Sequence, residues 1–250
     1  MLHRTGMKAI MRRMSGSAAV LGFLIGAAVP ASGADTTACE DFSDKAWSSL
    51  GRGAVWRVVS PSQVDQLDPD EPWKNNGFFR LLAQEGTVTC SFDVQVAVGK
   101  GGAGLFFMGR DAQAMERGDS YLVYYGETVD AKGRHGNIAI GKFLDDKPQS
   151  AFAPKFDVPA HPGQWASVGF RFDADKGEFT VWCDGHEVGR ARDPQPIRRG
   201  NVVSLHSFGT AATFRNLRLA CGRAQSHADS GSAGTVGRDQ DGTVTVKGQR

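Results

Sequence analysis

Thr87-Val88-Thr89-Cys90-Ser91-Phe92-Asp93-Val94-Gln95-Val96-Ala97-Val98 is the stretch that decides the fold. Val88, Cys90, Phe92, Val94, Val96 and Val98 share one parity, while Thr87, Thr89, Ser91, Asp93, Gln95 and Ala97 share the other. Side chains alternate faces along a strand, so the pattern predicts a half-buried strand with one apolar face. Ala166–Asp173 repeats it, with Val168, Phe170 and Phe172 inward. Glu178–Asp184 sets Phe179, Val181 and Cys183 on one side, and Thr213–Cys221 groups Leu217, Leu219 and Cys221. Shorter candidates are Trp56–Ser60, Phe78–Leu82, Gly104–Met108, Tyr121–Tyr125, Asn137–Phe143 and Val202–Phe208.

About ten to twelve short strands at this spacing imply an all-β antiparallel sandwich or barrel. The single helical candidate, Asp111–Arg117, is brief. No repeat of fixed period is present. Residues 222–250 are rich in Gly, Ser, Asp and Gln and poor in apolar groups. Such a segment buries too little surface to offset ordering entropy and reads as a disordered tail.

The chain of 250 residues carries 29 Lys+Arg against 27 Asp+Glu, a net charge of +2. Residues 1–34 hold Arg4, Lys8, Arg12 and Arg13 and no acid, which leaves 25 basic and 27 acidic residues elsewhere. That distribution argues against nucleic-acid binding through a phosphate-seeking surface. Residues 1–34 read as a signal peptide: a basic start, an apolar run from Ala18 to Val29, then Ala31-Ser32-Gly33-Ala34 as a small-residue cleavage site. The run is too short to span a bilayer as a helix, and no later segment is long and apolar enough. Cleavage near Ala34 and export to the periplasm or outside are therefore expected, with residues 35–221 as the sandwich domain.

An exported chain with four cysteines suggests two disulfides. Cys39 and Cys221 lie near the two ends of the domain, and domain termini are often close. The expected pairs are Cys39–Cys221 and Cys90–Cys183, with Cys90–Cys221 or buried thiols as alternatives.

His-x-His, His-Glu-x-x-His, Cys-x-x-Cys and phosphate-binding glycine loops are all absent, so no metal or cofactor site is readable. Gly118-Asp119-Ser120 matches three residues of an esterase nucleophile block but lacks the downstream Asp-x-x-His. The three tyrosines, Tyr121, Tyr124 and Tyr125, fall within five residues, Tyr124 on the opposite face from the other two. An aromatic ring covers the apolar face of a sugar and its polar tip meets a hydroxyl. The alternative, favoured because Tyr is often half-buried, is that these rings pack in the sandwich core. Gly104–Met108 is apolar on both faces, and Arg110 follows either as a clamp for a hydroxyl pair or carboxylate or as a solvated strand end.

The order of segments carries a further signal. Glu40-Asp41-Phe42, Trp56, the Phe92 strand, Ala103-Gly104-Leu105-Phe106-Phe107 and Ser120-Tyr121-Leu122-Val123 form a series. Gly163-Gln164-Trp165, Phe179-Thr180-Val181-Trp182-Cys183-Asp184-Gly185 and Phe214-Arg215-Asn216-Leu217-Arg218-Leu219 complete it. The series resembles secreted bacterial domains of the concanavalin A-like (laminin G-like) jelly-roll group, and is most similar to the 3-keto-disaccharide hydrolase, or family 16 glycoside hydrolase-like, members. The resemblance implies two curved antiparallel sheets with ligands on the concave face. Three departures matter. Met108 stands where the family often has Arg. The Glu-x-Asp-x-x-Glu device of family 16 glucanases is absent. Arg215 replaces an Asp that in many relatives can help hold calcium, and a guanidinium cannot ligate a cation.

Three functions follow as expectations: an exported carbohydrate-binding module, a glycoside hydrolase or lyase acting on a 3-keto-disaccharide, or a structural surface protein. Candidate ligand contacts are Arg110, Tyr121, Tyr124, Tyr125, Glu127, His135 and His206. The expected partner is a glycan or small saccharide, with no nucleic acid and no membrane span; no metal or cofactor is expected, calcium being the one alternative that the resemblance leaves open.

Overall fold

The computed structural model describes residues 36–39, 41–50, 56–68, 77–97, 101–114, 117–130 and 133–222. The expected signal peptide, the Ala34 cleavage site and the expected tail beyond Gly222, which itself ends the last strand, lie outside these residues. The described chain forms sixteen strands and no helix.

The first eight are β1 Thr36–Cys39, β2 Trp47–Leu50, β3 Trp56–Ser60, β4 Gln63–Gln66, β5 Gly77–Glu85, β6 Thr87–Val96, β7 Gly101–Gly109 and β8 Ser120–Asp130. The rest are β9 Gly133–Leu144, β10 Lys147–Pro148, β11 Lys155–Val158, β12 Ala166–Asp173, β13 Glu178–Cys183, β14 His186–Arg192, β15 Arg199–Phe208 and β16 Ala212–Gly222. One sheet runs β14-β13-β12-β6-β16-β4-β3, with β1 on β16; the other runs β10-β9-β8-β7-β15-β5-β2, with β11 on β9. All pairings are antiparallel, and the expected two-sheet sandwich is what forms.

The opening stretch is the centre of the first sheet. Val88, Cys90, Phe92, Val94 and Val96 are buried and the residues between them are not. Strand β12 pairs with it without a slip, Ala166 opposite Val94 through Asp173 opposite Thr87. Between the sheets Phe107, Tyr121, Phe170, Phe172 and Phe179 interlock, with ring centroids 4.4 to 6.2 Å apart. A second knot joins Trp47, Trp56, Phe78 and Phe214.

More strands form than the ten to twelve expected, because β1, β2, β4, β10 and β11 are four residues or shorter and are held by their neighbours. Strand β14 buries no residue and so has no apolar face to announce it. The helical candidate does not form. Arg117 has φ 61 and Gly118 φ 69, left-handed values that a right-handed helix excludes.

Two bulges reset side-chain parity. In β7 the register against β15 shifts between Val202 and Ser204, and Met108 takes φ 55. Met108 thereby joins the core instead of sharing the Phe106 face. Buried Gln84 serves this bulge, accepting from Met108 N at 2.8 Å and donating to Val202 O at 2.9 Å. In β16 the shift falls between Arg215 and Arg218, with Asn216 at φ 55. Phe214 and Leu217 can then both point inward.

The Cys90–Cys183 pair is overturned. Cys183 is a free thiol. Cys90 and Cys183 pair with Phe170 and Val168 on opposite edges of β12, which lies between them. Two strand spacings separate their backbones by about 9.5 Å, more than a disulfide spans. For Cys39–Cys221, the side chain of Cys39 lies outside the described residues. The register sets Cys39 opposite Arg218 and Cys221 opposite Thr36, three residues further along β16.

Candidate functional site

The second sheet turns one face to the core and the other away from it. On the outward face lie Leu122 and Tyr124 of β8, Gly102 and Gly104 of β7, His206 and Phe208 of β15, and Asn137 of β9. The registers set Gly104 between Tyr124 and His206, and Gly102 beside Phe208. A groove of ≈ 510 Å³ opens here, lined by Gly102, Leu122, Tyr124, Gly126, Asn137 and Phe208, with Glu127, Thr128, Val129 and Lys155 at one end.

The glycines shape its floor. A Cβ on Gly104 would meet Val123 O at 2.2 Å and Tyr124 Cβ at 2.5 Å; one on Gly102 would lie 3.1 Å from Tyr124 Cδ2. The Tyr124 ring therefore lies across backbone that carries no side chains. Phe208 stands beside it, ring centroids 5.9 Å apart. Burial pushes the Tyr124 hydroxyl above the usual phenol range, so it is a neutral donor and acceptor. Asn137 donates to Gly126 O at 3.2 Å, which fixes its amide at the rim.

The sequence candidates separate as follows. Tyr124 and Glu127 line the groove. Tyr121 is a core residue: its hydroxyl donates to Asp193 Oδ2 at 2.5 Å and accepts from Ile197 N at 3.0 Å. Tyr125 is buried at one end of the sandwich and donates to Glu127 Oε1 at 3.1 Å. Arg110 is the solvated strand end, with 57% of its side chain exposed and an ion pair to Asp119 at 2.8 Å. The β7 bulge takes it off the Phe106 face. His135 pairs across from Thr128 near the start of β9 and is not itself part of the groove lining. His206 is fully buried on the outward parity, edge-on to Phe106 at 4.7 Å. Phe208 and Asn137 were missed; the Gly-x-Gly of 102 and 104, two residues on one strand face, is the sequence signal for such a floor.

Glu127 is only 4% exposed. Its Oε1 accepts from the Tyr125 hydroxyl and, at 3.1 Å, from His161 N, while Oε2 has no hydrogen-bond partner. Around the same end stand His161, Cys183 and Asp184, their donor atoms within 4.8 Å of one another. Burial pushes the Cys183 thiol up to about 12, with the Asp184 carboxylate adding to the effect, so it stays protonated at neutral pH and is a poor nucleophile.

Arg215, at the position where the resemblance led to an expectation of Asp, makes a different set of contacts. Arg215 Nε and Asn216 Nδ2 both donate to Asp93 Oδ2, at 3.1 and 2.8 Å. The Arg215 guanidinium also lies 4.0 Å from the centre of the Trp165 ring. A protein cation thus sits on the Asp93 carboxylate.

Residues 44–220 match the family model described as the 3-keto-alpha-glucoside-1,2-lyase-like domain. Among solved structures, the β-glucanase of Bacillus licheniformis aligns at 8% identity and TM-score 0.51, over 77% of this chain and 100% of that one. A protein of unknown function with a galectin-like fold from Bacillus subtilis aligns at 13% and 0.52, over 76% and 98%. The carbohydrate-binding module CBM66 from Bacillus subtilis aligns at 18% and 0.49, over 69% and 93%. No curated protein matches the sequence. The first two alignments show the fold alone, the concanavalin A-like jelly roll.

Proposed function

Because the chain belongs to the 3-keto-alpha-glucoside-1,2-lyase-like domain family, we propose that it binds a short saccharide in the Tyr124 groove. The observation that carries this reading is the Tyr124–Phe208 pair on a glycine floor. Its rings offer a surface for the C–H faces of a sugar, and Thr128, Asn137 and Lys155 at the rim offer polar contacts for its hydroxyls. The outward face carries Leu122, Ala139 and Gly141 on the neighbouring rows. That is a surface built for stacking, and it favours a binding module. Export to the periplasm or beyond fits such a role.

Affinity electrophoresis and calorimetry against a panel of soluble glycans test it. Tyr124→Ala is expected to abolish retention while leaving the melting temperature within a few degrees. A wild-type protein retained by no glycan overturns the reading.

One observation favours a second reading, a lyase acting on a 3-keto-glucoside. Glu127 Oε2 is buried without a hydrogen-bond partner, in a residue at one end of the groove. A 3-keto group acidifies the C2 proton, which a carboxylate can take. The electron pair left on C2 then forms the C1=C2 bond and expels the C1 oxygen. Glu127 returns the proton to that oxygen, so atoms and charge balance without another reactant. Proton NMR of a 3-keto-α-glucoside incubated with the protein is expected to show a 1,2-unsaturated ketone, absent with Glu127→Gln. If no such product forms, the lyase reading falls and the binding reading stands.

A further inference from the structure

We propose that His161, Cys183 and Asp184 form a site for a thiophilic divalent cation, zinc or a close analogue, at the end of the sandwich beside Glu127. The three donor atoms lie within 4.8 Å of one another. His161 Nε2 is 2.9 Å from Asp184 Oδ2, and Cys183 Sγ is 3.7 Å from the same oxygen. Tetrahedral zinc, with bonds of about 2.0–2.3 Å, sets its ligand atoms about 3.3–3.7 Å apart. Small side-chain adjustments bring the trio onto one ion.

The orientation of His161 is the second observation. Its Nε2 is buried and approaches Asp184 Oδ2 to ion-pair distance, yet makes no hydrogen bond to it or to anything else. Two polar atoms that crowd together without pointing at each other converge on a common point, as ligands of one ion do.

The supports are rigid and come from two separate parts of the chain. Cys183 ends β13, and Asp184-Gly185 follows with φ of 50 and 81, a tight hairpin turn. Asp184 Oδ1 accepts from Ser167 N at 2.9 Å, which aims Oδ2 at the site. His161 lies between β11 and β12, its amide held by Tyr125 Oη at 3.0 Å and by Glu127 Oε1. These contacts fix the loop backbone from which the His161 side chain projects. One His, one Cys and one Asp leave the fourth tetrahedral position open to water, and the partly exposed His161 and Asp184 side chains give that position access to solvent.

The ion would clamp the His161 loop onto the β13–β14 hairpin. Through the His161 amide it would also brace Glu127, at the end of the saccharide groove. The site stands on its own geometry and does not depend on the proposed function.

Cobalt(II) titration of the reduced, chelator-treated full chain tests it. Binding of one equivalent is expected, with near-ultraviolet thiolate-to-cobalt absorption that zinc displaces and a melting temperature that rises with zinc and falls with chelator. Cys183→Ser is expected to lose the thiolate band and His161→Gln to weaken binding at least tenfold, while Cys221→Ser keeps both. Circular dichroism checks that each variant folds. The proposal is overturned if the wild type shows no thiolate band, or if a folded Cys183→Ser or His161→Gln variant binds cobalt as the wild type does.

Discussion

Lys142 Nζ lies 2.7 Å from Asp193 Oδ2, with side chains only 5% and 2% exposed. The carboxylate also accepts the Tyr121 hydroxyl and, through Oδ1, the Gln195 amide. Lys142 donates in addition to Gln195 O. This ion pair ties β8 and β9 to the segment after β14. Removing one partner strands the other charge in the core, so Asp193→Ala is expected to cost about 3–5 kcal/mol. Thermal or urea unfolding reads the loss.

The same pair sets a pH dependence. Burial pushes the Asp193 carboxyl up, but the hydrogen bonds from Lys142, Tyr121 and Gln195 outweigh it and hold it below the usual carboxylate range. A depressed folded value means the stabilisation is full above the unfolded carboxylate value of about 3.9 and is lost as pH falls through the folded one. The melting temperature is expected to drop steeply below about pH 4, and less steeply in Asp193→Asn. Equal acid slopes for the two proteins would contradict this assignment.

Two glycines give opposite tests of space and backbone. At Gly104 a Cβ would enter Val123 O and the Tyr124 backbone, so Gly104→Ala is expected to cost 1–3 kcal/mol or more, by about the usual range for overpacking, and to displace the Tyr124 ring from the groove floor. At Gly185 nothing lies within 4 Å of the added carbon, and only φ +81 resists it. Gly185→Ala is expected to cost about 1 kcal/mol and to leave saccharide retention unchanged.

Arg215 couples Asp93 to Trp165 at a half-exposed position. Solvent screens both contacts, so Arg215→Ala is expected to cost only about 1 kcal/mol. A change in tryptophan fluorescence is expected with it, since the ring loses its cation.

Non-reducing peptide mapping is expected to yield no Cys90–Cys183 peptide, because β12 separates the two residues. Finding that peptide would require a different strand order in the first sheet.

The strands with a strict two-residue period were readable directly. β6, β12 and β13 each bury one parity, so their composition alone specifies both the element and the face turned inward. The ordered motifs from Trp56 to Leu219 likewise pointed to the jelly roll before any pairing was known. Tyr124 was a candidate because three tyrosines fall within five residues, and Glu127 because it is a carboxylate two residues beyond them. What alternation cannot carry is the neighbour across the sheet. Cys90 and Cys183 share an inward parity, and only the strand order reveals that Phe170 stands between their strands. The bulges at Met108 and Asn216 shift the parity by backbone torsion, which moved Arg110 off the outward face and gave Asp93 its Arg215 and Asn216 partners. His161 is 22 residues from Cys183 and 34 from Glu127, with no spacing to mark it. Its convergence with them is made by the crossing of loop and hairpin, a long-range packing relation that one-dimensional periodicity does not encode.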